Sequence, residues 1–453
     1  MMKYFFLSFL LFYNYTIPQN NFVVFNLMNA PFPTNKPFNI VQDKDGSYWF
    51  SFFSEKRNGI NYPGGIARFD GSTWQVFTNQ NSPLPTKSVN VIAIDSLGRK
   101  WIGTDSGLVK YDGMNWIIYT KDNSPLMEDI IWNVTVERDT IIWIASYTTG
   151  LYRFDGINWN RWHTDNSPLI SNQINFILID DAGIKWIGAD YSPLFSFDGT
   201  NWQIHGKFPF APGPGGFANP DVRSMAIDKY NTKWISGAGY WGAGLPRWYA
   251  IAKFIDTTWT FYDSTVIGFQ HYSNYCGVAI DKNNIKWFTD FRNGLIRYDD
   301  TTFYLFNQEN SPISNSWAII VDKFNNKVFS AELNEQLPDG TYLRGIVFYN
   351  ENGVVLSSAD NDSPKPFDFY LAQNYPNPFN EKTKISWHSP VSGHQTIKVY
   401  DVLGREIATL VDEYRNPGIY EVTFNAENLP SGIYLYKFST GLHSLTKKML
   451  LIK

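Results

Sequence analysis

The side chains best suited to chemistry in this sequence are aromatic rings that lie close to acids, amides and glycines. The aromatic candidates are Tyr147, Tyr191, Tyr240, Trp241, Trp248 and Tyr249, and the charges beside them are Asp290 and Arg292. Sugar rings present an apolar face together with many hydroxyls, so this mixture of rings and polar groups favours a glycan-binding surface. The alternative is that the rings only pack their loops onto the fold and bind nothing.

Motifs for catalysis, metal binding and cofactor binding are absent from the sequence. It has no Gly-x-Ser-x-Gly elbow, His-Glu-x-x-His zinc site, phosphate-cradling loop or EF-hand loop. Further acids near predicted strand ends are Asp105, Asp190 and Glu332. His271 beside Asp290 or Glu332 would be the acid–base set of a hydrolase or lyase. We predict no catalytic residue, metal or cofactor and favour binding, with a secreted polysaccharide lyase or hydrolase as the alternative.

The candidate aromatic and charged residues must be positioned by copies of one structural unit, which is clearest at residues 91–125. Four short runs rich in Val, Ile, Tyr and Trp are typical of half-buried strands. We name them a to d: Val91–Ile94, Lys100–Gly103, Leu108–Tyr111 and Trp116–Tyr119. Short turns join a to b and c to d, and one such meander cannot bury both of its faces alone.

The unit recurs along the chain with a fixed spacing. Strand b begins with an anchor residue at Trp49, Trp101, Trp143, Trp186, Trp234, Trp287 and Val328. Six residues before each anchor is an acid, at Asp43, Asp95, Glu137, Asp180, Asp228, Asp281 and Asp322. We predict that this acid caps the a–b turn rather than binding calcium. Seven four-stranded units predict an all-β fold, a seven-bladed β-propeller.

Antiparallel strand order places the a–b and c–d turns on one face of the propeller and the b–c and d–a loops on the other. The a–b and c–d turns are short, whereas the insertions fall in the b–c and d–a loops. We name that side the variable face, and its long loops are Phe52–Gly64, His205–Asp221, Gly237–Tyr249, Asp263–Tyr275 and Ala331–Arg344. Variation confined to one face of a repeat fold usually marks the binding face, so we expect the ligand there.

The N-terminal region contains a predicted signal peptide and a predicted closing strand. Residues 1–20 include an apolar run too short to cross a membrane as a helix, and no other segment could span a bilayer, so we predict that the protein is not membrane-spanning. Residues 22–26 match a strand d with no a, b or c before it. We predict that they complete the last blade near Gly345–Phe348, with Val354–Ser357 as the competing segment.

The remaining chain divides into a linker and a small second domain. The propeller is predicted to span residues 21–357, and a polar linker that contains prolines follows at 358–368. Short alternating strands at regular spacing predict a small β-sandwich over residues 369–453.

Charge and cysteine content exclude several classes of protein. The net charge is −4 and no Lys/Arg cluster stands out, which argues against a nucleic-acid partner. The single cysteine, Cys276, rules out an internal disulfide framework. Aromatic residues make up 17% of the chain, so aromatic packing has to supply much of the stability.

The C-terminal region resembles the type A C-terminal sorting domain of proteins exported by the type IX secretion system of Bacteroidota. The matching stretches are Asn374–Asn380, Val399–Glu406, Gly418–Tyr420, Leu429–Tyr434 and Lys447–Met449. Within them, the predicted sorting signal is Pro376, Asn377, Pro378, Gly404, Gly418, Gly432, Lys447 and Lys448. The resemblance implies export through the periplasm, recognition by the type IX machinery at the outer membrane, and a protein that is secreted or held on the outer cell surface.

The repeats resemble the two-component-regulator propeller repeat at Trp101–Thr104 and Gly107–Gly113. In that family such blades form periplasmic sensors of hybrid histidine kinases, with a membrane helix and kinase domains that this sequence does not contain. Streptogramin-lyase-like propellers are a more distant resemblance, with no catalytic residue to match. We therefore expect a non-enzymatic binding propeller whose ligand is a glycan or another envelope polymer. A module that docks a surface protein is a further alternative.

Overall fold

The structure, a computed structural model, describes most of the chain. The described residues are 21–86, 88–138, 140–190, 192–205, 221–238, 250–262, 264–268, 277–356, 370–371, 374, 376–389, 393–416, 418–440 and 443–452. The predicted signal peptide and the predicted linker lie outside them.

Seven four-stranded antiparallel sheets are present in the described residues before position 350, one for each predicted unit. In chain order, the strands of blade 1 are Pro37–Gln42, Tyr48–Phe52, Gly65–Phe69 and Trp74–Phe77. Those of blade 2 are Val89–Ile94, Lys100–Thr104, Gly107–Tyr111 and Trp116–Tyr119. Those of blade 3 are Ile131–Glu137, Ile141–Ser146, Leu151–Phe154 and Trp159–Trp162. Those of blade 4 are Ile174–Ile179, Lys185–Ala189, Phe195–Phe197 and Trp202–Ile204. Those of blade 5 are Asp221–Ile227, Lys233–Ala238, Ala250–Ile255 and Thr258–Tyr262. Those of blade 6 are Val278–Ile280, Lys286–Asp290, Gly294–Tyr298 and Phe303–Phe306. Blade 7 consists of Ile313–Val321, Lys327–Gln336, Tyr342–Tyr349 and Phe22–Asn26. A hairpin of Glu55–Arg57 and Ile60–Tyr62 lies in the b–c loop of blade 1, and a short helix, Ser264–Ile267, follows blade 5.

The seven sheets close into a ring through their a strands. Each a strand contacts the a strands of the two neighbouring blades, and blade 7 contacts blade 1 in the same way. The b strands of blades 1, 2, 4 and 6 are buried along their whole length, because a neighbouring blade covers each side of them. A closed ring of radial four-stranded sheets is a β-propeller, as the sequence predicted.

The hydrophobic cores lie between the blades. In the described residues, seven clusters each combine side chains from two adjacent blades. Between blades 1 and 2, for example, Trp49 stacks on Phe77 with ring centroids 5.8 Å apart, and both rings contact Tyr111. Every core is therefore shared, and no blade can bury its apolar faces without its neighbours.

The predicted closing strand is confirmed. Phe22–Asn26 is strand d of blade 7, with Phe22 opposite Tyr349 and Asn26 opposite Gly345. The competing segment forms no strand over its described residues, and its Val354 packs instead against the core between blades 7 and 1. The two ends of the propeller chain are thus joined within one sheet.

The b–c insertion of blade 7 differs from the predicted loop. Strand b continues to Gln336 and strand c begins at Tyr342, so most of the insertion is a long hairpin with an irregularity in its register. Leu333 and Leu343 are buried in the core between blades 6 and 7, and this burial holds the extended hairpin in place.

The acid of the a–b turn caps that turn, as predicted. In blade 2, an Asp95 carboxylate oxygen accepts hydrogen bonds from the backbone N–H groups of Leu97 and Arg99 at 3.1 and 2.9 Å. The other oxygen accepts the Nε1–H of the Trp101 anchor at 3.1 Å. The same indole-to-acid bond recurs in blades 3 to 6, which explains the fixed spacing of acid and anchor.

A lysine directly before the anchor links five blades to the blade that precedes each of them. Lys100 of blade 2 lies 2.7 Å from the Asp43 carboxylate and 4.5 Å from the Trp49 ring centroid, both in blade 1. The same stacking on the preceding anchor ring is made by Lys185, Lys233, Lys286 and Lys327. Lys100, Lys185 and Lys327 also pair with the turn acid of the preceding blade. The Nζ groups of Lys233 and Lys286 bond within their own blades, to Asn231 and Asp300, and contact the preceding blade through the cation–π interaction.

The residues after the linker form a second all-β unit, the predicted small sandwich. One sheet has the order Tyr370–Leu371, Lys382–Ser389, Gly418–Asn425, and the other has the order Glu406–Arg415, Gly393–Tyr400, Gly432–Thr440, His443–Leu451. Trp387, Tyr436 and Met449 are fully buried in the core of this unit.

Candidate ligand-binding cleft

The a strands of six blades carry a bulge or irregularity near their start, at the centre of the ring. A bulge re-aims the side chain of the extra residue. The residues at these bulges include Phe38, Asn90, Trp132, Asn175, Arg223 and Trp317, and all of them line a central channel of about 210 Å³. In the six blades where this position is described, it contributes a side chain to the channel wall, and its residue type differs from blade to blade.

The channel continues into a cleft of about 400 Å³ on the variable face. Four bulge residues, namely Asn90, Trp132, Asn175 and Arg223, line both spaces. The rest of the cleft wall comes from b–c and d–a connections, at Phe53, Ser88, Asp105, Ile130, Tyr147 and Gln173. We refer to this space as the cleft.

Four aromatic rings form a continuous arc along the cleft and the channel mouth. Phe53 packs on Phe38 with ring centroids 4.3 Å apart, and Phe38 lies 6.2 Å from Trp132. Trp132 in turn lies 5.9 Å from Tyr147. We call these four residues the aromatic arc. None of the four is buried, so the arc offers ring surface to a bound molecule.

The wall beside the arc is polar and internally bonded. The Asn175 amide donates to the Asp190 carboxylate at 3.0 Å, and its carbonyl oxygen accepts from Arg223 at 3.3 Å. Arg223 also lies 3.6 Å from Asp190. On the other side, the Asn90 amide donates to the backbone oxygen of Ile131 at 2.9 Å. These bonds fix the orientation of the amides before any ligand arrives.

Asp105 adds a carboxylate at the end of strand b in blade 2. The residue is exposed, and its carboxylate accepts a hydrogen bond from the Ser106 hydroxyl at 3.2 Å. Partial burial raises the pKa of this carboxyl above its ordinary value, while the Ser106 hydrogen bond acts in the opposite direction. The group is suited to accept hydrogen bonds or to pair with a cation.

Tyr147 is held by a carboxylate beneath its loop. Glu128 accepts hydrogen bonds from the Ser146 hydroxyl at 2.6 Å and from the Thr149 N–H at 3.1 Å, as well as from the Thr148 N–H. The backbone N–H of Tyr147 donates to Ile130 at 3.1 Å. The b–c turn is thus ordered, while the Tyr147 side chain remains 40% exposed.

Of the other predicted ligand residues, the structure describes Asp290 and Arg292, and only Arg292 is at the surface. Asp290 is fully buried, and one of its carboxylate oxygens accepts hydrogen bonds from the backbone N–H groups of Arg292 and Asn293 at 2.8 and 3.1 Å. It therefore shapes the b–c turn of blade 6 and lies beneath the surface, whereas Arg292 is exposed on that turn. Tyr191, Tyr240, Trp241, Trp248, Tyr249 and His271 lie outside the described residues.

Glu332 and Trp317 lie together at the blade 7 side of the ring. Arg344 binds the Glu332 carboxylate at 3.3 Å and lies 5.2 Å from the Trp317 ring centroid. The Trp317 indole donates to the backbone oxygen of Pro37 at 2.8 Å. Glu332 is therefore engaged in an ion pair at this position.

Sequence reasoning missed the bulge residues, although the repeat contains a signal for them. Phe38, Asn90, Trp132, Asn175, Arg223 and Trp317 each stand eleven residues before the anchor of strand b. Their types differ from blade to blade while the surrounding pattern repeats. Variation at a fixed position within a repeat indicates a role other than packing the repeat.

The predicted sorting residues lie at turns and edges of the C-terminal sandwich. The Asn377 side chain accepts the Leu450 N–H at 2.9 Å, and the Pro376 carbonyl accepts the Thr383 hydroxyl at 2.8 Å. Gly404 has a φ of 80° in the turn before Glu406–Arg415, where a side chain would be strained. Lys448 is exposed on the last strand.

Comparison with known families identifies the C-terminal unit. Residues 373–453 match the family described as the secretion system C-terminal sorting domain. No curated protein matches the sequence.

Several solved structures share the fold at low sequence identity. PorZ, a surface component of the type IX secretion system of Porphyromonas gingivalis, is 15% identical with a TM-score of 0.52, and the match covers 94% of this chain and 60% of PorZ. The extracellular domain of the two-component system BT4673 of B. thetaiotaomicron is 13% identical with a TM-score of 0.54, and the match covers 95% of this chain and 59% of that domain. YCF48 bound to D1 peptide is 11% identical with a TM-score of 0.51, and the match covers 74% of this chain and 99% of YCF48. This chain thus spans about 60% of the length of the first two structures.

Fold and tail together define a class of protein, the β-propellers that carry a type IX sorting domain. This chain is a propeller that the type IX machinery exports to the outer cell surface or to the medium. Within the part of the chain that the structure describes, no helix has the length and apolar character needed to cross a membrane.

Proposed function

We propose that this protein is a non-enzymatic binding propeller of the cell surface and that its ligand is a glycan or another envelope polymer held in the cleft. In this proposal residues 1–20 direct export, residues 21–357 form the binding propeller, and residues 369–453 are the sorting domain. The observation that carries the proposal is the aromatic arc beside pre-oriented amides at the mouth of the channel.

The arc matches the shape and chemistry of a sugar chain. Trp132 and Tyr147 offer ring faces for the apolar side of sugar rings, and Asn90, Asn175 and Gln173 supply donors and acceptors for hydroxyls. A cleft of about 400 Å³ is within the range of ligand sites in proteins. The space is also open on the variable face, so a polymer could pass across it without an end having to enter.

A protein partner is the competing ligand class. A peptide is bound to the YCF48 propeller, which shares this fold. The cleft favours the glycan because the amides of Asn90, Gln173 and Asn175 are set beside ring faces in its wall. A hydrolase or lyase would need a catalytic pair, and Asp290 and Glu332 are already engaged in a turn and in an ion pair.

The test is a binding screen of the exported full-length chain against polysaccharides, with the melting temperature as the readout. A ligand that binds only the folded state raises the midpoint by mass action. We expect one glycan class to raise it, and we expect Trp132→Ala and Tyr147→Ala each to weaken binding about two- to tenfold, the range of single aromatic contacts.

Tyr230→Ala is the matched control, since Tyr230 is 70% exposed on an a–b turn of the opposite face. It should leave binding unchanged. If no glycan shifts the midpoint, or if Tyr230→Ala weakens binding as much as Tyr147→Ala, the assignment of the cleft as a glycan site fails. Release of new sugar ends from a bound polymer would show an enzyme instead.

A further inference from the structure

The charge of the cleft is set by Asp105. Its carboxylate is bonded to the Ser106 hydroxyl, and none of the described basic residues acts on it as a counter-ion. Two further acids lie close to the cleft without lining it. Asp190 is only 9% exposed and is paired with Arg223 at 3.6 Å, and the Glu128 carboxylate is turned into the loop beneath Tyr147, where Ser146 and Thr149 donate to it. Asp105 is therefore the acid that a molecule in the cleft meets among its lining residues.

The aromatic arc adds to the attraction for positive charge. The face of a Trp or Tyr ring carries a negative quadrupole, and a cation within about 6 Å of its centre is stabilised. Trp132 and Tyr147 present such faces in the same cleft as Asp105. A carboxylate combined with ring faces is an arrangement that suits an ammonium group rather than an anionic one.

We propose that the cleft binds a glycan with free amino groups, with the protonated amine of an amino sugar paired with Asp105 and its ring lying on the aromatic arc. This inference rests on the proposed glycan-binding function and narrows the ligand class from glycans in general to amino sugars that are not acetylated. An acetylated amine has no positive charge, so it would lose the ion pair while keeping the stacking contacts.

The experiment compares two hexasaccharides with one backbone, β-1,4-linked glucosamine and β-1,4-linked N-acetylglucosamine, by titration calorimetry on the full chain at mildly acidic pH. A hydrogen bond to a charged group is worth about 1.5–3 kcal/mol, so we expect the amine form to bind about ten- to a hundredfold more tightly. Asp105→Asn should remove this preference, because the amide carries no charge to pair with the amine. Asp122→Asn, which removes an exposed acid from a loop of the same face, should keep the preference.

The outcomes separate the two proposals. Equal binding of both hexasaccharides, or a preference that survives Asp105→Asn, overturns the amino-sugar inference and leaves glycan binding standing. Binding of neither hexasaccharide overturns the inference, and the wider polysaccharide screen then decides on glycan binding. Binding of pentalysine as tight as that of the amino sugar would show that charge alone is recognised, and would also overturn it.

Discussion

Lys327 is a buried charge that ties blade 7 to blade 6. Its ammonium group is fully buried, 2.6 Å from Glu351 and 3.4 Å from Asp281, and it stacks on the Trp287 ring at 4.8 Å. Breaking a buried ion pair leaves an uncompensated charge, which typically costs about 3–5 kcal/mol. We expect Lys327→Met to lower the free energy of unfolding of the propeller by an amount in this range, measured by guanidinium unfolding followed by tryptophan fluorescence. Sixteen of the seventeen tryptophans precede the C-terminal unit, so this signal reports on the propeller.

Two variants distinguish this effect from a general loss of charge. Lys121→Met removes a lysine that is 53% exposed and 4.0 Å from its partner, and it should change the unfolding free energy by less than about 0.5 kcal/mol. Adding Asp281→Asn to Lys327→Met removes the stranded charge and should restore part of the loss. A double variant that is less stable than the sum of its parts would contradict the ion-pair explanation.

Asp70 caps the c–d turn of blade 1 and makes the stability of that turn depend on pH. Burial acts to raise its pKa, but hydrogen bonds from Thr73 and Ser72 outweigh this and hold the pKa at about 2. A carboxyl whose pKa is lower in the folded than in the unfolded state binds more protons when unfolded. Its contribution is therefore complete above about pH 4, the unfolded pKa, and is lost as the pH falls toward about 2.

Asp70→Asn isolates this contribution, since asparagine keeps an acceptor for the turn but does not titrate in this range. We expect the native protein to melt at a higher temperature than Asp70→Asn near neutral pH, and the difference to shrink as the pH falls from about 4 to about 2. Melting curves of both proteins across this interval make the comparison. A difference that stays constant down to the lowest pH would show that the carboxylate has no stabilising role.

The limits of prediction at the residue scale are clear from Trp132 and Asp290. Trp132 precedes the apolar part of its strand, and only the bulge turns its ring toward the channel. Asp290 is the last residue of a buried strand, where the sequence suggested a surface acid, yet its turn folds over it. The orientation of a side chain at a strand end depends on local backbone irregularity, which residue types and spacing do not specify.

At the scale of the element, the repeats allowed the strands and turns within each blade to be predicted, but not the contacts between neighbouring blades. The acid-to-anchor spacing recurs within each blade and predicted the capped a–b turn. The indole-to-acid bond that explains the spacing is seen only in the structure. The lysine before the anchor, such as Lys185, was not recognised, because its partners Glu137 and Trp143 belong to the preceding blade. A contact between repeats leaves no signal in the spacing within one repeat.

The exceptions to the seam pattern support the same explanation. Blade 3 has Ile142 where the lysine would stand, and Asp95 of blade 2 then pairs with Arg99 of its own turn at 2.5 Å. Blade 1 has Tyr48, whose hydroxyl donates to Asp322 of blade 7 at 2.6 Å. Four turn acids thus have a partner across the seam, namely Asp43, Glu137, Asp281 and Asp322. Asp95, Asp180 and Asp228 are bonded within their own blades instead.

At the scale of the whole molecule, the ring is closed by five residue pairs between Phe22–Asn26 and blade 7. The order of the repeats predicted this strand. Residues 22–26 match a strand d with no a, b or c before it, so they are expected to complete a blade that has no strand d of its own. Without it, strand c of blade 7 would expose an unpaired edge, which is a template for association with other chains. Closure therefore protects the protein against aggregation as well as stabilising it.

Gly345→Ala tests closure with one methyl group. A Cβ at position 345 would lie 2.3 Å from the backbone oxygen of Phe25, so the closing strand has to move away. Overpacking of this kind costs about 1–3 kcal/mol. Gly107→Ala is the comparison variant, because its Cβ would lie 2.5 Å from the Tyr119 oxygen inside blade 2, where both strands belong to one continuous meander. Its φ of 120° adds backbone strain, so its loss of stability should be at least as large. We expect both variants to melt at lower temperature, but only Gly345→Ala to become sensitive to proteolysis near residues 21–26 and to associate in size-exclusion chromatography. If both variants remained monomeric and equally resistant to protease, the closing strand would contribute no more to the integrity of the ring than any other strand d.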